Sequence, residues 1–274
     1  MRRITLLSIL LGIYLVYNIT IMSIWQGWVG PPPLIGIIMG PGMFVIAFLF
    51  SILTTFIAWK YLPKERPKEL QVRASSGETS AGSSRTSSSI PPPRKIVLIT
   101  SREAAIIASF SGVNFAWNAL GLIFVIFPPG SWSISGIMPQ LIGMATGPIG
   151  LVIAHFIGGL LWYDFPWGTF NFMLSATWLI TVLYPFYADV VKHYKYPILF
   201  GQTFLLHQYD VYSWALWAVH FAKLAPVEYI IPATLVFIGP WSLLNAIPIV
   251  ILVALFDRFA PGLMKPTWLD RYTS

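Results

Sequence analysis

The sequence predicts an all-α integral membrane protein: a six-helix transmembrane bundle preceded by a two-helix hairpin. Three observations predict it. The 274-residue chain is 56% hydrophobic and only 10% charged, against about 25% charged in average soluble domains. From Ala104 to Tyr163 it runs sixty residues without Asp, Glu, Lys or Arg, yet carries Trp117, Trp132 and Trp162. One arrangement of crossings also puts every Lys and Arg except Lys223 on the same side, as the positive-inside rule asks of a polytopic protein.

The elements follow in order. Ile4 to Trp25 is apolar after Arg2 and Arg3. It is longer than the ~7–15 residues of a signal-peptide core, and no A-x-A-like site follows, so it is predicted as a retained helix. After Gly30-Pro31-Pro32-Pro33, Leu34 to Trp59 forms a second span, interrupted by Gly40-Pro41-Gly42. The hairpin therefore occupies residues 1–62. Residues 63–97 carry Lys64, Arg66, Lys68, Arg73, Arg85, Arg94 and Lys95 around a serine-rich tract and Pro91-Pro92-Pro93. Such a segment cannot bury a core and is predicted to be a disordered cytoplasmic linker.

Residues 98–274 form the third unit, with helices predicted over 104–127, 134–146, 148–163, 168–188, 197–223 and 229–256. Its decisive feature is Gly147-Pro148. Proline breaks a helix interior and restrains the residue before it, which leaves a kinked single crossing and a hairpin both open. With a single crossing, Lys192, Lys195, Arg258, Lys265 and Arg271 move to the outside. The hairpin keeps them inside with both termini, so the charges choose it. Several of these helices fall short of the ~20 residues of a perpendicular span, which implies local thinning or dipping outer loops.

The net charge of +7 suits anionic lipid facing cytoplasmic loops, with no basic stripe that would read nucleic acid. The chain has no cysteine, which excludes disulfides, thiolate metal sites, iron–sulfur clusters and Cys nucleophiles. No Ser/His/Asp grouping or phosphate-cradling glycine loop has motif spacing, so neither enzymatic activity nor a cofactor is expected. Haem ligation by two histidines would need imidazoles facing each other across helices; His155 lies alone on an apolar helix and His207 and His220 are 13 residues apart.

Polar groups in the bundle are few. Asn114 and Asn118 lie one turn apart on its first helix, Asn171 begins the fourth, and Gln202, His207, Gln208 and Asp210 sit on the fifth. Asp164 is the only charged residue between Glu103 and Asp189, within the aromatic loop Trp162 to Trp167. Polar residues at membrane depth face a cavity or another helix. An outward pocket with aromatic walls is one reading; an interfacial aromatic belt with helix-bridging asparagines is the other. The ladder Ala104, Ala108, Gly112 and Ala116 permits close approach by another helix.

The third unit resembles the substrate-binding S components of energy-coupling factor (ECF) transporters for vitamins and related micronutrients, over about residues 98–257. The resemblance rests on Thr100-Ser101-Arg102-Glu103-Ala104-Ala105 opening the first helix and Ala104-x-x-x-Ala108 upon it. It also rests on the stretch Pro139 to Gly150, on Gly158-Gly159 before an aromatic outer loop, and on Gly168-Thr169-Phe170-Asn171. It implies that Ala104, Ala108 and Gly112 dock a transmembrane coupling subunit driven by two cytoplasmic ATPases. It implies substrate contacts near Asn118, Trp132, Asp164, Trp167 and Asn171, to which the polar residues at membrane depth add Asn114 as a candidate. His155, where the family has a small residue, and the N-terminal hairpin depart from the pattern. The expected function is substrate capture for an ATP-driven importer; a membrane anchor or accessory subunit of a respiratory or other complex is the alternative.

Overall fold

The computed structural model describes residues 2–29, 37–63, 97–122, 124–127, 130–132, 134–161, 166–220, 223, 226, 228 and 239–273. The predicted linker lies outside the described residues except at its ends, as does Asp164. The protein is an all-α membrane protein. Among the described residues four helices are long and apolar enough to cross a membrane: Arg3–Ile24, Gly40–Tyr61, Gly168–Tyr187 and Pro240–Phe259.

Helix α1 covers Arg3–Val29, and α2 covers Met43–Tyr61. The expected interruption at Gly40-Pro41-Gly42 is a π-helical turn, Ile38–Gly42, that feeds α2 without a break. Pro41 has no N–H to donate, and a wider turn accommodates it. The glycine before it matters sterically: Gly40 lies against the ring of Tyr212.

Helix α3 is Ser101–Ala119, opened by a capping box in which Thr100 and Glu103 satisfy each other's backbone N–H groups. The expected helix over 104–127 is therefore too long. Gly121 adopts φ +66, and the bonds from Gly121 N–H to Asn118 O (3.0 Å) and Leu122 N–H to Trp117 O (3.2 Å) form a Schellman stop. The remaining stretch becomes strand β1, Phe124–Phe127, paired antiparallel with β2, Gly130–Trp132. Val125 and Ile126 suit a strand.

A 3₁₀ turn, Ile134–Gly136, leads into α4, Met138–Thr146, and α5, Pro148–Gly159. These two short helices form the predicted hairpin about Gly147, which has φ +89. A Cβ on Gly147 would lie 2.7 Å from the buried Trp268 ring. Gly147→Ala is expected to cost about 2–4 kcal/mol, combining positive-φ strain with overpacking. Thermal unfolding in detergent should show it as a lowered Tm.

After α5 come α6, Trp167–Phe172, a second π turn, Met173–Thr177, and α7, Trp178–Tyr187. This composite helix is the core of the molecule, 83% of its most apolar stretch being buried. Helix α8, Lys192–His220, and α9, Pro240–Phe259, pack along each other. The short α10, Trp268–Thr273, ends the chain. Exposed apolar residues such as Ile9, Ile13 and Val16 on α1, Val45, Leu49 and Leu53 on α2, and Ile247, Ile251 and Leu255 on α9 form its outer surface.

Charged groups collect at one end. Arg3 pairs with Asp270, Arg271 with Glu103 at 2.5 Å and Lys195 with Asp257 at 2.5 Å. Arg102 donates to the carbonyls of Gly262 and Leu263. The Gly147 turn meets Trp268 at this same end, where α1, α3 and α8 begin and α2 and α9 finish.

Candidate functional site

The polar side chains of the bundle are not scattered. They gather along the central composite helix, and its second π turn explains much of the gathering. A π turn displaces backbone carbonyls from the regular i→i+4 ladder, and in a membrane interior such groups need another partner. Helix α1 supplies the donors. Tyr14 Oη donates to the Ser175 carbonyl at 3.0 Å, and Asn18 Nδ2 donates to the Leu174 carbonyl at 3.0 Å. Trp178 Nε1 returns a bond to Leu10 O at 3.0 Å.

Helix α8 completes the seam. Asn171 Oδ1 accepts from Tyr17 Oη at 2.9 Å and from Ser213 Oγ at 3.2 Å. One turn along both helices, Ser175 Oγ donates to Asp210 Oδ1. Tyr209 Oη donates to Asn18 Oδ1 at 2.8 Å, which ties α8 to α1 as well. Asn171, Ser175, Asp210 and Ser213 are all buried. An open groove of about 520 Å³ runs between α1 and the central helix. Tyr17 both lines that groove and holds Asn171.

A second polar patch lies between α4, α5 and α8. His155 Nε2 is 2.9 Å from Thr177 Oγ1, and His207 Nε2 is 3.3 Å from Gln140 Oε1. Gln140 Nε2 donates to Thr203 Oγ1 at 3.1 Å. Phe172 packs against both imidazoles, with ring centroids 5.6 and 5.5 Å away. His155, solitary in the sequence, is thus a fully buried hydrogen-bonding residue rather than an isolated one. A third group anchors α2: Gln202 accepts from Tyr187 Oη at 2.6 Å and donates to Thr55 Oγ1 at 2.8 Å and Ser51 O at 3.2 Å.

The residues expected to touch substrate separate into distinct places. Asn114 and Asn118 face α5: Asn118 Nδ2 donates to Gly158 O at 3.1 Å, and any side chain at Gly158 would overlap Asn114. They hold helices together there. Asn171 belongs to the seam. Asp164 and the side chains of Trp132 and Trp167 lie outside the described residues. The seam's α1 contributors, Tyr14, Tyr17 and Asn18, were missed in the sequence. An Asn directly after Tyr17 and one turn after Tyr14 within an apolar helix was the available signal.

The ladder expected to dock a partner occupies the opposite face of α3. Ala104, Ala108, Gly112 and Ala116 are exposed, and no atom lies within 4 Å of where a Gly112 Cβ would be. Ile107, Ser111, Asn114 and Asn118 on the same helix are buried. The helix is thus small and open on one side, polar and packed on the other.

No protein-family model, curated protein or solved structure matches the chain.

Proposed function

We propose that the chain is a solute-capture subunit that passes the membrane several times and works against a second membrane subunit docked on α3. The observation that carries this reading is the division of α3 into an unpacked small-residue face and a buried polar face. A face of Ala and Gly four residues apart lets another helix approach closely. The resemblance to ECF S components gives the partner a chemical character: a transmembrane coupling subunit bound to cytoplasmic ATPases. The basic residues Arg3, Arg102, Lys195 and Arg271 gathered at one end support a cytoplasmic location for both termini under the positive-inside rule.

The double variant Ala104→Trp, Ala108→Trp tests it. Purified from native membranes, the wild-type chain should bring down a multi-spanning protein and an ATPase in fixed proportion. The variant should remain monodisperse and lose both. A variant that still co-purifies with them, or a wild type that brings down no ATPase, defeats the proposal.

A further inference from the structure

We infer that the crossing of the central composite helix with α8 is a binding site for an alkali-metal cation, anchored by Asp210. This goes beyond the capture reading, which neither names nor needs an ion.

One buried carboxylate, Asp210, has no countercharge among the described residues. Asp210 is 2% exposed and lies 15 residues along α8 from Lys195, a rise of about 22 Å. No Lys or Arg among the described residues pairs with it; the three ion pairs there use Asp270, Asp257 and Glu103. A carboxylate can accept about four hydrogen bonds, yet among the described residues it receives one, from Ser175. An isolated carboxylate is too costly to bury bare, so its site holds a proton or a cation.

The surrounding atoms favour a cation. Asn171 and Ser175 are one turn apart on the central helix, and Asp210 and Ser213 are one turn apart on α8. They meet as two rungs, Asn171 with Ser213 and Ser175 with Asp210. Together the rungs offer two hydroxyl oxygens and a carboxylate, with the Asn171 amide oxygen holding Ser213 in place. Hard cations take oxygen ligands, and a single carboxylate balances a single positive charge. The π turn Met173–Thr177 passes through one rung, so the helix is irregular at the site itself. Interrupted helices near the membrane midplane are where unwound backbone coordinates sodium or protons in other membrane folds. Tyr14 and Asn18 already occupy the carbonyls of Ser175 and Leu174, and Asn171 Oδ1 already accepts from Tyr17 and Ser213, which leaves the Asp210 carboxylate and the Ser175 and Ser213 hydroxyl oxygens for the ion.

The test uses the full-length protein in detergent at fixed pH, with thermal unfolding followed during titration of sodium chloride, and separately potassium chloride, against choline chloride at constant ionic strength. A saturable rise in Tm with either alkali ion is expected for the wild type. Asp210→Asn, nearly isosteric, should abolish the response, and Ser175→Ala should raise the half-saturating concentration at least tenfold. Leu255→Ala, on the outer surface of α9 and remote from the site, should leave the response unchanged. A wild-type Tm indifferent to alkali ions means a protonated Asp210 and overturns the inference, as does an undiminished response in Asp210→Asn. Since the readout is an ion titration on the isolated chain, it can fail while docking through α3 succeeds, or the reverse.

Discussion

A chain that lacks residues 1–63 is expected not to fold. The hairpin looks separable in sequence, set apart by a polar linker, but its side chains complete the core of the rest. Removing α1 would strip the partners from the Leu174 and Ser175 carbonyls and from Trp178 Nε1, and would free Asn171 from Tyr17. Removing α2 would orphan the Gln202 amide. Each buried polar group left unsatisfied costs about 1–3 kcal/mol, and lipid cannot compensate it. Four or five such losses, about 4–15 kcal/mol in all, are comparable to a typical net stability of about 5–15 kcal/mol. The truncated chain should aggregate on extraction. Residues 1–63 and 97–274 expressed as two polypeptides should instead associate and co-elute, since these bonds do not require the linker. If the 97–274 fragment alone proves monodisperse with a cooperative melt, the hairpin is accessory after all.

Glu103→Ala should be the most damaging single change at the charged end. The Glu103 side chain is 1% exposed, caps α3 through the Thr100 box and takes the Arg271 guanidinium at 2.5 Å. Breaking a buried pair by removing one partner costs about 3–5 kcal/mol, because a charge is left without compensation, and loss of the cap adds about 1 kcal/mol. Arg271 is 16% exposed, so its stranded charge can reach water and the upper end of that range is not expected. Glu103→Gln keeps a capping oxygen and should lose less. Arg271→Ala should destabilise by a similar amount, and the double Ala variant by clearly less than the sum. Tm values of the four proteins in detergent decide this; strict additivity would show that the pair is not coupled.

Much of the architecture was legible in residues that act locally. Gly147-Pro148 marked a turn because proline cannot continue a helix, and charge counting placed that turn with the termini; its packing on Trp268 puts it there. The ladder from Ala104 was legible as a face because its period is helical. The strand over Phe124–Phe127 was not, since a short apolar run carries no periodicity to separate strand from helix, although Gly121 and Pro128-Pro129-Gly130 punctuated it. The seam was less legible still. Tyr14 reaches Ser175 across 161 residues and Tyr209 reaches Asn18 across 191, and no local pattern announces which distant carbonyl a π turn will release. Asn114 and Asn118 were visible as polar residues in lipid, but their facing of Gly158 depends on how α3 and α5 pack.

The burial of Gly168–Tyr187 also constrains how the protein is made. Of the four long apolar helices among the described residues it is the least apolar and the only one almost wholly enclosed; the other three are 17%, 22% and 28% buried over their most apolar stretches. As it leaves the ribosome, α1 and α2 already exist to receive one side of it, but α8 and α9 have not been synthesised. For that interval Asn171 and Ser175 lack their α8 partners, Ser213 and Asp210. The segment must wait at the insertion machinery, or in a partly built bundle, until α8 arrives.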